Sequence, residues 1–189
     1  MYKFNFDKGK EAGLFSKYSQ LQVESIEAIV CEANNQGLTK EQIAYVLSTA
    51  YHEADDYNGT TTGTKQKIVP IKEKGGQAYL KAKKYYPYIG YGFVQITWLA
   101  NYKKMQPVIQ DRFGVDVVKN PELFLRTDIA AFTIVYGMKN AMFTSHKLSD
   151  HINDKKIDYA GARKIVNGTD KKDLIAGYAR KFIDCIGNY

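Results

Sequence analysis

Cysteine, histidine, proline and tryptophan are scarce in this chain: 189 residues include 2 Cys, 3 His, 4 Pro and 1 Trp. Cys31 and Cys185 stand near opposite ends, which excludes both the clustered spacing of a zinc ribbon and a dense disulfide framework; both are read as buried thiols. Low proline and the lack of any biased run exclude a Pro-rich linker, and no internal repeat is found. No stretch of about 20 apolar residues occurs, so no membrane span is predicted. The opening "MYKFNFDKGKEAGLF" carries Asp7 and Glu11 and no apolar core of signal-peptide length, so synthesis in the cytoplasm without a signal peptide is expected.

What is present is the make-up of one globular domain spanning 1–189, with 44% hydrophobic and 25% charged residues. Twenty-seven Lys and Arg against 20 acids leave a net charge of +7, which points to an anionic partner. Nucleic acid, a membrane surface and a polyanionic cell envelope all satisfy that charge. Clusters at 65–84 and in the carboxy-terminal third are expected to aid adsorption to the envelope, or simply to keep the surface soluble.

Periodicity predicts helices. Leu21, Val23, Ile26, Ile29, Val30 and Ala33 recur at helical spacing between Ser19 and Gly37. A second helix starts at Thr39, with Gln42 completing a capping box and a stripe of Ile43, Val46, Leu47, Ala50, Tyr51 and Ala54. Residues 58–88 lose period and read as loop with room for short strands, "YGFVQITW" reads as one strand, and Thr97 is placed as the cap of a helix beginning "WLANYKK". "NPELFLRTDIAAFTIVYGMKN" supplies an apolar helix, with two more near 160–166 and 174–186. The fold class expected is mainly α with a small β element, two helical lobes and a cleft between them.

Within this frame, "TAYHEADDY" puts three carboxylates beside one histidine. Glu53 follows Val46 by seven residues and Ala50 by three, so it falls on the apolar stripe and faces a core or cleft, where loss of hydration suits a general acid. Asp55 and Asp56 lie about 200° and 300° further round and are taken as surface residues. "HEADD" lacks the second histidine of a zinc-protease helix, so no metal and no cofactor is expected. Glu73 is the sole carboxylate among seven lysines between Lys65 and Lys84; it reads either as a counter-charge for the loop or as the ionised half of an acid and base pair. His52 reads equally well as a packing histidine, Thr97 as a plain cap and Asn167–Gly168 as a turn.

Taken together, "YHEAD", "IKEKGG", "YYPYIGYGFVQITWLANY" and "KIVNGTD" resemble, in order and separation, the chitinase-type glycoside hydrolases of family 19, especially the single-domain phage and prophage versions. The resemblance runs from about residue 20 to the carboxyl terminus. It implies a lysozyme-like, mainly helical fold, with Glu53 as general acid, Glu73 as general base and Thr97 holding the attacking water. His52, Gln95, Asn101 and Asn167 would then line the sugar-binding cleft. The family's Gly-Arg-Gly reads "GYG" here, so Tyr91 replaces an arginine and leaves Lys72 or Lys74 to supply the charge; the last helix offers Arg180 only in a shifted register.

The function this implies is that of a monomeric peptidoglycan-degrading endolysin, a muramidase-like glycosidase that cuts β-1,4 bonds by inversion and reaches the wall through a separate membrane pore. Inversion requires the two carboxyl groups about 6.5–9.5 Å apart. A chitinase is the alternative. A nucleic-acid-binding domain and a catalytically silent wall-binding protein are further readings, the first from net charge and the second from Tyr91.

Overall fold

A computed structural model describes residues 1–188. The chain opens with a short strand, β1 (Lys3–Phe4), and one helical turn, α1 (Phe6–Glu11), whose cap Asn5 accepts from the Lys8 N–H. Two long helices follow, α2 (Gln20–Asn35) and α3 (Lys40–Glu53). Both start for the same local reason. The hydroxyls of Ser19 and Thr39 accept from the N–H of Gln22 and Gln42, and each glutamine side chain returns to the N–H of its cap.

After α3 the backbone breaks into short pieces: β2 (Asp55–Asp56), β3 (Gln66–Lys67), β4 (Ile71–Lys72), α4 (Gln77–Lys81) and β5 (Tyr91–Gly92). Helix α5 (Leu99–Phe113), a 3-10 turn (Pro121–Leu125) and α6 (Thr127–Lys139) restore the helical pattern. The chain closes with α7 (Leu148–His151), the hairpin β6 (Ile152–Asn153) and β7 (Lys156–Ile157), a 3-10 turn (Gly161–Ile165), α8 (Lys172–Phe182) and β8 (Ile186–Gly187). All four strand pairs are antiparallel: β1 with β8, β2 with β3, β4 with β5, and β6 with β7. The fold is mainly α with small sheets, as the periodicity predicts.

Helix α3 is the central rod. Every residue from Ile43 to Tyr51 is buried, and the Ser48 and Thr49 hydroxyls both donate to the Tyr45 carbonyl. It packs mainly on α8, while α2 packs on α6. Full burial of a side chain such as Ile43 or Leu47 contributes about 1.5–3 kcal/mol. One connected apolar core runs from Phe4 to Ile186.

Four local expectations need correction. "YGFVQITW" is not one strand: Tyr91 pairs with Ile96, so the chain reverses within these residues, using positive φ at Gly92 (80°) and Gln95 (54°). Trp98, not Thr97, occupies the cap position of α5, and no side chain caps that helix. The apolar stretch after Asn120 divides at Arg126, whose extended backbone separates the 3-10 turn from α6. Of the cysteines, Cys185 is buried but Cys31 is exposed. Cys31 follows Val30 on α2, and a step of about 100° per residue carries it off the buried face.

Candidate active site

The end of α3 brings Glu53 beside a segment far along the chain. Glu53 Oε1 accepts from Arg163 Nη1 at 2.6 Å. The arginine side chain is 2% exposed and the glutamate 20%, so the pair is largely shielded from water. Arg163 Nε also donates to the Asp170 carbonyl at 2.8 Å, which closes the loop carrying Asn167 around the guanidinium. Asn167 itself is exposed, its N–H bonded to the Arg163 carbonyl at 3.0 Å and followed by Gly168 at φ +47°. Among the described residues Glu53 Oε2 has no hydrogen-bond partner. His52 lies half-buried beside this pair. Burial pushes its pKa below the ordinary histidine value; Glu53 opposes that shift, and Arg163 and Lys67 reinforce it.

Asp55 and Asp56 are not surface bystanders. Asp55 is half-buried and bonds Lys67 at 2.6 Å across the β2–β3 pair. Asp56 is 0% exposed and accepts from the N–H groups of Thr60, Thr61 and Thr62 and from the hydroxyls of Thr60 and Thr62. Burial disfavours its charge, but the Thr62, Thr61 and Thr60 donors outweigh this and hold its pKa below the usual value. The helical phase failed because α3 ends at Glu53: beyond it the chain is extended, so a helical angle no longer says where a side chain points.

Glu73 follows β4 directly. Its N–H donates to the Gly90 carbonyl at 2.6 Å, and the Gly90 N–H returns to Glu73 Oε2 at 2.8 Å. The Tyr85 hydroxyl donates to Glu73 Oε1 at 2.7 Å. Both carboxylate oxygens are therefore aimed by donors, while each keeps lone-pair capacity for a water. That hydrogen bond, more than burial, pushes the Tyr85 pKa up to about 12, so Tyr85 remains a donor at working pH.

The remaining sequence-predicted residues sit on the same hairpin and the start of α5. Beyond the Lys72–Tyr91 pair the Glu73 N–H reaches the Gly90 carbonyl, and on the other side Tyr91 pairs with Ile96, next to Thr97. Gly90 is buried, and the space beside its Cα is filled by the Gln95 side chain. Thr97 Oγ1 donates to the Gln95 carbonyl at 2.9 Å, and Asn101 Nδ2 donates to the Thr97 carbonyl at 2.7 Å. Gln95 braces the hairpin, donating to the carbonyls of Ile71 and Gly92 at 3.0 and 3.1 Å. A Cβ on Gly90 would meet Gln95 Oε1 at 2.8 Å, which is why glycine stands there.

An open groove of about 800 Å³ runs along this element, lined by Asn58, Thr60 and Thr61, by 72–77, by Tyr86, Pro87, Ile89 and Tyr91, and by Pro121 and Glu122. Glu73 lines it. Glu53 sits where the loop carrying Asn58 begins, and Lys74 ties the two regions together by donating to the Asp55 carbonyl. Thus the structure gathers His52, Glu53 and Asn167 around Arg163 and sets Glu73 and Gln95 against Gly90, while Thr97 bonds Gln95 and Asn101 bonds Thr97.

Tyr91 is 4% exposed, with the Lys72 ammonium 5.8 Å from its ring centre and 3.5 Å from Glu122. Among the described residues neither Lys72 nor Lys74 pairs with Glu53 or Glu73. The cation that reaches Glu53 is Arg163, which sequence reasoning missed along with Tyr85. Arg163 lies in "GARKIVNG", where an arginine beside a lysine looks like ordinary surface charge; only its place between Ala162 and Ile165, both buried, hints otherwise. Tyr85 is one of four tyrosines in "YYPYIGY", and nothing local separates it from the others.

Among the described residues no group of three or more His, Cys, Asp or Glu side chains is arranged to hold a metal ion, and no helix is long and apolar enough to cross a membrane. No protein-family model and no curated protein matches the chain.

Proposed function

We propose that this protein is an inverting glycosidase acting on the β-1,4-linked amino-sugar strands of bacterial peptidoglycan, of the family 19 glycoside hydrolase type. The observation that carries the reading is that Glu53 and Glu73, at the two ends of the loop region, are each oriented by their own donors, and that Glu73 lines an open groove. Two such groups in different surroundings are what acid and base catalysis at one glycosidic bond needs.

In this mechanism Glu53, held at Oε1 by Arg163, protonates the leaving oxygen through Oε2. Glu73, aimed by Tyr85 and the Gly90 N–H, draws a proton from a water that Thr97 would steady. That water attacks the opposite face of the sugar, so a β-linked strand yields an α-anomer first. The basic surface would hold the enzyme on the anionic envelope, which it would reach through a membrane pore made by another protein.

The test compares wild type, Glu53→Gln and Glu73→Gln on purified sacculi and on chitin oligomers, with mass spectrometry of the fragments and NMR of the first anomer formed. Reducing ends released from sacculi as the α-anomer, lost by at least about 10³-fold in both variants, is the expected result. Cleavage of chitin alone would reassign the substrate. Cleavage unchanged in both variants would refute the assignment of the pair.

A further inference from the structure

Trp98 is the chain's single tryptophan, and its backbone and side chain are both unusual. It lies at φ +74° and ψ 135°, a conformation that costs a residue with a Cβ of order 1–3 kcal/mol. Despite that cost the indole is not used for packing: the residue is 51% exposed. The backbone is held in place from both sides, with the Trp98 N–H on the Tyr88 carbonyl at 2.8 Å and the Trp98 carbonyl accepting from Asn101 and Tyr102 at 3.0 and 3.2 Å. One edge of the ring leans on Tyr85, centroids 5.1 Å apart at 58°. Tyr85 is the residue whose hydroxyl holds Glu73.

We infer that Trp98 is a glycan-stacking platform, a binding subsite for an N-acetylated pyranose ring next to the base Glu73. This deepens the glycosidase reading and rests on it. The occupant follows from the surroundings. A free protein gains nothing by straining its backbone to show an indole to water, whereas a pyranose ring offers a flat face of C–H groups that covers an indole while its hydroxyls stay wet. Continuity does the rest: a sugar on Trp98 is separated from Glu73 only by the Tyr85 ring. Tyr86, next to Tyr85 in the chain, is 43% exposed and lines the groove.

Because Trp98 is alone, its emission reports this subsite without labelling. The experiment titrates Glu53→Gln with soluble N-acetylglucosamine oligomers and with peptidoglycan glycan fragments, following tryptophan fluorescence and heat together. A saturable change in emission, matching the calorimetric isotherm, is expected. Trp98→Gly, whose backbone tolerates φ +74° without strain, should keep its melting temperature within a few degrees yet bind about tenfold more weakly, as for loss of one aromatic anchor. In a wild-type background the same change should raise KM by that factor and leave kcat within about threefold. Calorimetric binding with unchanged emission, or equal affinity in Trp98→Gly, would overturn the platform while leaving the glycosidase reading intact. Absence of both binding and sacculus cleavage in wild type would overturn the glycosidase reading, and the platform with it.

Discussion

Replacing Arg163 with methionine removes the partner of Glu53 without opening much space, and the consequences can be worked out in advance. The guanidinium is 2% exposed and makes two contacts, one to Glu53 at 2.6 Å and one to the Asp170 carbonyl at 2.8 Å. Breaking a buried ion pair from one side costs about 3–5 kcal/mol, because the remaining charge is left without a partner. Glu53 keeps 20% of its side-chain surface, so water relieves part of that cost and the lower end, about 3 kcal/mol, applies. The lost bond to Asp170 adds about 1 kcal/mol. At roughly 2–4 °C per kcal/mol for a chain of this size, Arg163→Met should melt about 8–16 °C below wild type at neutral pH. Adding Glu53→Gln to it should recover about half of the loss, since a neutral amide needs no counter-charge. On sacculi the single variant should lose about 10²-fold in kcat, the scale of an acid displaced by an ångström. Circular dichroism melts of the four proteins in the cycle decide it. A shift below about 3 °C for Arg163→Met, or a double variant that loses the full sum of both changes, would refute the argued role of this pair.

Two further outcomes follow from the site. Tyr85→Phe removes one donor to Glu73 and should lower kcat about tenfold with melting nearly unchanged, because a half-buried hydroxyl is lost without a cavity; an unchanged pH–rate profile and kcat would contradict its orienting role. Asp56→Asn should destabilise by about 2 kcal/mol at neutral pH, since the amide nitrogen cannot accept from Thr61 or Thr62. The folded-state pKa of Asp56 is depressed, so its contribution is complete above the unfolded value, about 3.9, and is lost as pH falls through the folded value. The gap in melting temperature between wild type and Asp56→Asn should therefore narrow in acid, and a constant gap from pH 7 to pH 2 would contradict the assignment.

Local chemistry alone determined a good part of this protein. Capping boxes at Ser19 and Thr39, the apolar stripe of α3 and the position of Glu53 on that stripe depend on residues three to seven apart, and such neighbours interact the same way in any context that stays helical. Where a helix stops, that logic stops too, and so Asp56 was misplaced one turn beyond Glu53. The partners that hold Glu53 and Glu73 were decided by tertiary structure. Arg163 meets Glu53 across 110 positions, Tyr85 meets Glu73 across 12 and the Gly90 N–H across 17, and contacts at such separations leave no period to read. Trp98 shows the same division: its presence is plain in the sequence, but its strained backbone and open face arise only because the hairpin ending at Ile96 and the first turn of α5 pull its N–H and carbonyl in opposite directions.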